Sequence, residues 1–127
     1  MSSLTPQQAG HVLRVLLTQM RDQLQAGPQF TVTNLITLLA VIENPGATQP
    51  DIGNLLNTTD WAVLSRQLRY LRGQKTGVVT SPVILVIRME PLETDNRVNT
   101  VQLTAEGQEF ASNTAKTLNK LLKVAAK

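Results

Sequence analysis

Apolar positions along this chain keep helical spacing, give way to a β-rich run, and return to helical spacing, and these changes outline its elements. Val12, Leu13, Leu16, Leu17, Met20 and Leu24 recur three and four residues apart, as on one face of a helix. With Thr5 as cap and Pro6 in the first turn, they predict a helix over 5–26, closed by Gly27-Pro28. Leu35, Ile36, Leu38, Leu39 and Ile42 predict a second helix that reads as core, capped by Thr31 or Thr33 and ended by Asn44-Pro45-Gly46. Thr48 and Asp51 have capping-box spacing, with aspartate in place of the usual glutamate, and open a short helix with Ile52, Leu55 and Leu56 inward.

Asn57-Thr58-Thr59 interrupts that helix, and Thr59 or Asp60 caps the next, over 59–74, where Leu64, Leu68 and Leu71 share one face. Two helices joined by a turn of about three residues have the spacing of a helix-turn-helix. Val83 to Ile87 then forms an unbroken β-rich run, Glu90 to Asn96 a polar tip, and Val98 to Leu103 a returning strand. Thr104 caps a last helix with Phe110, Ala111, Thr114, Leu118, Leu121, Leu122 and Ala125 on a wide apolar side. The expected class is mainly α with a small β-hairpin (α+β), a winged helix-turn-helix with N- and C-terminal dimerisation helices. One domain is expected over 1–127, with terminal helices at 5–26 and 105–126 around a core at 31–103.

Charge sharpens this picture. The chain of 127 residues carries a net charge of +3. Between Thr59 and Gly77, Arg66, Arg69, Arg72 and Lys75 face only Asp60, so the net charge of the whole chain resides in that stretch. Localised positive charge on a helix-turn-helix points to nucleic acid. Catalytic chemistry finds little to work with: there is no cysteine, one histidine without an evident carboxylate partner, no glycine-rich phosphate loop and no metal-ligand spacing. No enzyme activity, catalytic residue, cofactor or metal is expected. No apolar run approaches the roughly 18 residues of a membrane span, and the N-terminus does not read as a signal peptide, so a soluble, cytoplasmic protein is expected. Aromatic content of 3% disfavours a pocket of stacked rings but leaves room for an aliphatic one.

Asp95-Asn96-Arg97, followed by Val101-Gln102-Leu103-Thr104-Ala105-Glu106-Gly107, resembles the wing and following helix start of the MarR family of bacterial transcriptional regulators. Asn44-Pro45-Gly46-Ala47-Thr48 and Ser65-Arg66 resemble that family in register, so the likeness runs from about Thr31 to Gly107. The resemblance implies an obligate homodimer built from terminal helices, binding to palindromic double-stranded DNA, and a small-molecule effector that lowers affinity. It further implies that Trp61, Ala62, Ser65 and Arg66 face the major groove and that Arg69 reaches base edge or backbone, with Arg72 beside them. Asp95 would organise the wing and Arg97 would reach the minor groove or a phosphate. Two departures stand out. The wing has Arg88 and Arg97 against Glu90, Glu93 and Asp95, fewer bases than family wings carry, and one final helix stands where two are common.

Plainer readings compete. Trp61 can close the helix-turn-helix as a core residue instead of touching DNA. Asp95 with Arg97 reads as a local turn-stabilising pair. Lys116, Lys120, Lys123 and Lys127 are explained by solvation and the negative end of a helix dipole, and His11 by solvent or a local bond. A plasmid or phage partition, replication or architectural factor would use the same fold on DNA, and a protein-interaction module would use it without DNA.

Overall fold

A computed structural model describes residues 3–25, 30–58, 60–72, 87–92 and 95–125, with the side chains at 88–98 and 125 left undescribed. The elements run α1 (Pro6–Leu24), α2 (Val32–Glu43), α3 (Gln49–Leu55), α4 (Trp61–Leu71), β1 (Ile87–Leu92), β2 (Asp95–Leu103) and α5 (Ala105–Ala125). Each helix starts where its sequence supplies a side-chain acceptor for an otherwise unpaired backbone N–H. Thr5 and Gln8, Thr31 and Asn34, and Thr48 and Asp51 form reciprocal capping boxes. Asp60 accepts from the Val63 N–H at 3.2 Å and Thr104 from that of Gly107 at 3.0 Å. Thr31 and Asp60 are thus the caps chosen from the two pairs of candidates.

The first helix ends at Leu24, because Gln25 adopts a left-handed conformation (φ 54°) and its N–H returns to Arg21 and Asp22 carbonyls. Gly27-Pro28 lies outside the described residues. The predicted apolar stripe of α1 divides in two: Val12, Leu16, Met20 and Leu24 are buried, while Leu13 and Leu17 stay exposed. In α2 the inward set is Asn34, Thr37, Leu38, Ala40 and Val41. Ile36 and Leu39, expected in the core, are exposed, because α2 is covered along one side only. Leu55, expected inward on α3, is also exposed, while Ile52 and Gly53 are buried.

Buried residues from all seven elements meet in one core, including Leu24, Leu38, Ile52, Leu68, Ile87, Val101 and Phe110. Each fully buried aliphatic side chain there contributes roughly 1.5–3 kcal/mol relative to exposure. Helices α1 and α5 pack along one another, and α2 lies against α3 and α4.

The hairpin departs from expectation in extent. Its antiparallel strands pair Ile87 with Leu103 through Pro91 with Asn99, then Leu92 with Asp95. The segment expected as a polar tip is therefore largely strand, with Glu90 to Leu92 in β1 and Asp95 and Asn96 in β2. The backbone groups of this segment pair across the hairpin, and the polarity of its side chains does not prevent that. Asn96, Arg97 and Val98 fall in the irregularity between the two sets of pairs, the arrangement of an enlarged bulge. Of the predicted run Val83 to Ile87, only Ile87 is described, and it is buried at the head of β1.

A pairing that sequence reading did not anticipate ties the wing to the helix-turn-helix. The Val101 N–H donates to the Ala47 carbonyl at 2.7 Å, and Thr48 bridges antiparallel to Thr100. The chain reaches β2 through the Asn44-Pro45-Gly46 turn, where Gly46 takes φ +77° and the Gln102 amide lies 3.4 Å from the place of an added Cβ. The left-handed φ is what calls for glycine, since the Gln102 amide stands at ordinary contact distance.

Candidate nucleic-acid interface

Helix α4 has three sides with different tasks. Leu64, Leu68 and Leu71 are buried, as their spacing predicts. At about 3.6 residues per turn, Ala62, Arg66 and Arg69 fall on the opposite side. All three are exposed, so two guanidinium groups and a small residue share an open face. Trp61, Ser65 and Arg72 flank this face on one edge, and Val63 and Gln67 on the other. Ser65 and Arg72 are half-buried.

Trp61 packs in part as its plainer reading expects. It is 48% exposed, yet its benzo edge lies over Gly53, where an added Cβ would come within 2.9 Å of Trp61 Cζ3 and 3.3 Å of Leu64 Cδ2. Gly53 therefore lets α3 and α4 cross closely, with the indole as a wedge between them. A glycine inside a helix carries a penalty of about 1 kcal/mol against alanine, which is the one sequence signal that points to such a close approach.

The other edge of α4 is fixed by an inward hydrogen bond that the sequence did not disclose. Asn34 is buried at the start of α2, where its Oδ1 accepts from the Thr31 N–H (2.8 Å) and hydroxyl (3.0 Å). Its Nδ2 donates to Gln67 Oε1 on α4. One amide thus caps α2 and orients α4, and nothing in the spacing of Asn34 and Gln67 announces the pair. Asp60 completes the support by capping α4. Thr59 and residues 73–74 of the predicted 59–74 helix lie outside the described residues.

Asp95 and Arg97 lie on β2, Arg97 within the irregular stretch. Their expected side-chain pairing lies outside the described residues. His11 is exposed on α1 with Arg14 Nη2 at 3.4 Å from its Nδ1, the local contact expected of it. Lys116, Lys120 and Lys123 are exposed on α5. Among the described residues no group of acidic, histidine or cysteine side chains could hold a metal ion.

Solved structures share this arrangement across most of the chain. The S. aureus MepR–DNA complex matches with a TM-score of 0.67 at 20% identity, covering 93% of this chain and 85% of MepR. FabT of Streptococcus pneumoniae, also solved with DNA, matches with 0.60 at 15% identity, over 91% of this chain and 73% of FabT. A MarR-like transcriptional regulator from Thermotoga maritima matches with 0.60 at 19% identity, over 98% and 82% of the two chains. No protein-family model matches the sequence, and no curated protein matches it. The chain has the winged helix-turn-helix fold of MarR-type regulators.

Proposed function

We propose that this protein is a sequence-specific double-stranded DNA-binding transcriptional regulator, a dimeric MarR-like repressor that reads a pseudo-palindrome with the helix over 59–74. The observation that carries the reading is the open face of Ala62, Arg66 and Arg69 on a helix held from three directions. Arginine suits bidentate contact to guanine or phosphate, and a small residue beside it lets the helix approach the groove floor. MepR and FabT, which share the fold, are solved on DNA.

In this reading Trp61, Ser65 and Arg72 line the edge of the contact, and Arg97 with Asp95 supplies the wing. The chain forms one domain over 1–127, and α1 and α5 form the dimer. The exposed Leu13 and Leu17 on α1 and Leu122 and Val124 on α5 support that role, since such side chains are buried profitably against a second copy. Two recognition helices would then sit about 34 Å apart, one turn of DNA. The regulator works in the cytoplasm and is not an enzyme. No described helix is long and apolar enough to cross a membrane.

Selection of bound sequences from random duplex DNA is the decisive experiment. Enrichment of a two-fold symmetric site is expected, with affinity falling steeply with salt, by a slope of about 0.9 per phosphate neutralised. No enrichment together with a flat salt dependence would refute DNA binding. Enrichment of clustered repeats instead of a lone palindrome would favour a partition or architectural role.

A further inference from the structure

The open face of α4 offers DNA a selective set of groups. In the first turn, the side chains of Trp61, Ala62 and Val63 carry a single polar group between them, the indole N–H. Ala62 stands at the centre of the face with Trp61 and Val63 at its edges, so the centre presents a methyl group. The Asp60 carboxylate beside it caps the helix, accepting from the Val63 N–H at 3.2 Å. Beyond the first turn come Arg66 and Arg69, whose guanidinium groups donate and never accept. Gln67 is the only amide side chain of α4, and its Oε1 is turned inward to accept from the buried Asn34 of α2. The amide that could pair with adenine through a donor and an acceptor together is thus withdrawn from the face. Ser65 flanks the face half-buried.

We propose that α4 reads a half-site in which a thymine methyl group lies against Ala62 and a guanine, about two base pairs away, lies against Arg66. This inference rests on the DNA-binding reading and specifies the bases it recognises. The first turn of a recognition helix is the part that meets base edges. In the major groove thymine alone among the four bases exposes a methyl group, so an apolar first turn has one specific partner there. Guanine alone offers two acceptors side by side, the match for a guanidinium fork. With the Gln67 oxygen held inward, the centre of the face has no acceptor for the amino groups of adenine or cytosine, and leaving those groups unpaired discriminates against both bases. Ala62 and Arg66 lie about 6 Å apart along the helix axis, against about 3.4 Å per base pair, which sets the spacing. Arg69, further from the first turn, falls to phosphate.

Duplexes selected from random DNA by the full chain supply the starting site, and each half-site should hold a thymine and a guanine at that spacing. Deoxyuridine lacks only the methyl group. Placed for that thymine in both half-sites, it should weaken binding about tenfold, roughly three- to fourfold per methyl. The same exchange at other thymines should change binding by less than about twofold. Cytosine in that place should bind more weakly still, and cytosine methylated at the matching carbon should recover about threefold. In Ala62→Gly the ratio of thymine to deoxyuridine affinity should fall to about one, and Ala62→Ser, used should the glycine variant fold poorly, should lower it at least about twofold. Arg66→Ala should keep that ratio while losing the preference for guanine over adenine. Equal binding of thymine and deoxyuridine, an undiminished ratio in the folded Ala62 variant, or a selected half-site without the thymine and guanine would overturn the inference and leave DNA binding standing. Enrichment of no duplex would instead refute the DNA-binding reading, and this inference with it.

Discussion

Helix α4 and the hairpin are offered to the same partner in the proposed function, but they are held in different ways. The helix is gripped along its length by the buried Leu64, Leu68 and Leu71, by the Asp60 cap, by Trp61 against Gly53 and by Gln67 bonded to Asn34. The hairpin is held at its base, where Ile87, Thr100 and Val101 are buried and Val101 bonds to Ala47. Towards its turn it passes through the irregular stretch at Asn96 to Val98. Base readout calls for side chains presented from a rigid element, and in the proposed function the held helix is that element. Among the described residues the holds on the hairpin lie at its base, an arrangement that suits contacts whose value depends mainly on charge.

The contrast is broken most forcefully from the core. Leu68 is 1% exposed, and Leu68→Ala should lower stability by about 2–5 kcal/mol through lost transfer energy and the cavity left behind. Denaturant unfolding followed by circular dichroism measures this directly. A loss within experimental error would mean that α4 is not anchored as described.

The α3–α4 crossing tests the support at a smaller scale. Gly53→Ala drives a methyl to 2.9 Å from the Trp61 ring, so a destabilisation of about 1–3 kcal/mol is expected from overpacking. Trp61→Ala in the same chain should recover part of that loss, because the ring is the nearest obstacle. Additive losses in the double variant would place the strain elsewhere. The open face should respond oppositely: Arg66→Ala should weaken specific DNA binding by about 1–3 kcal/mol while shifting stability by no more than about 0.5 kcal/mol. Equal loss on random duplex would make Arg66 a backbone contact.

The legibility of these features followed the range of the physics behind them. Helix starts were visible because a cap and its partner lie three residues apart, as with Thr48 and Asp51, although α2 and α4 each kept two candidate caps until the fold selected Thr31 and Asp60. The inward leucines of α4 were legible for the same reason, since helical periodicity is local. Ile36, Leu39 and Leu55 were placed wrongly because hydrophobicity says that a side can be buried, not that something covers it. Asn34 with Gln67, and Ala47 with Val101, were invisible because their partners are brought together only by the completed fold. The hairpin tip was misjudged for a related reason: polar residues such as Glu90 and Asp95 occur in loops and strands alike, and the backbone pairing that decides between them is not local.

The smallest expected effect belongs to the wing. Arg97 and Arg88 share the hairpin with Glu90, Glu93 and Asp95, so its local field is no more positive than negative and attracts phosphate weakly. Arg97→Ala should therefore reduce the salt slope by about one phosphate's worth, near 0.9, with a loss of affinity below about 1 kcal/mol at physiological salt, similar across DNA sequences. Titrations of a selected site and of random duplex at several salt concentrations separate the two quantities. If Arg97→Ala instead cost as much as Arg66→Ala, and only on the selected site, the irregular stretch would be a reading element in its own right. The bulge at Asn96 to Val98 would then aim Arg97 into a groove, and the division of labour between a gripped helix and a base-held hairpin would fail.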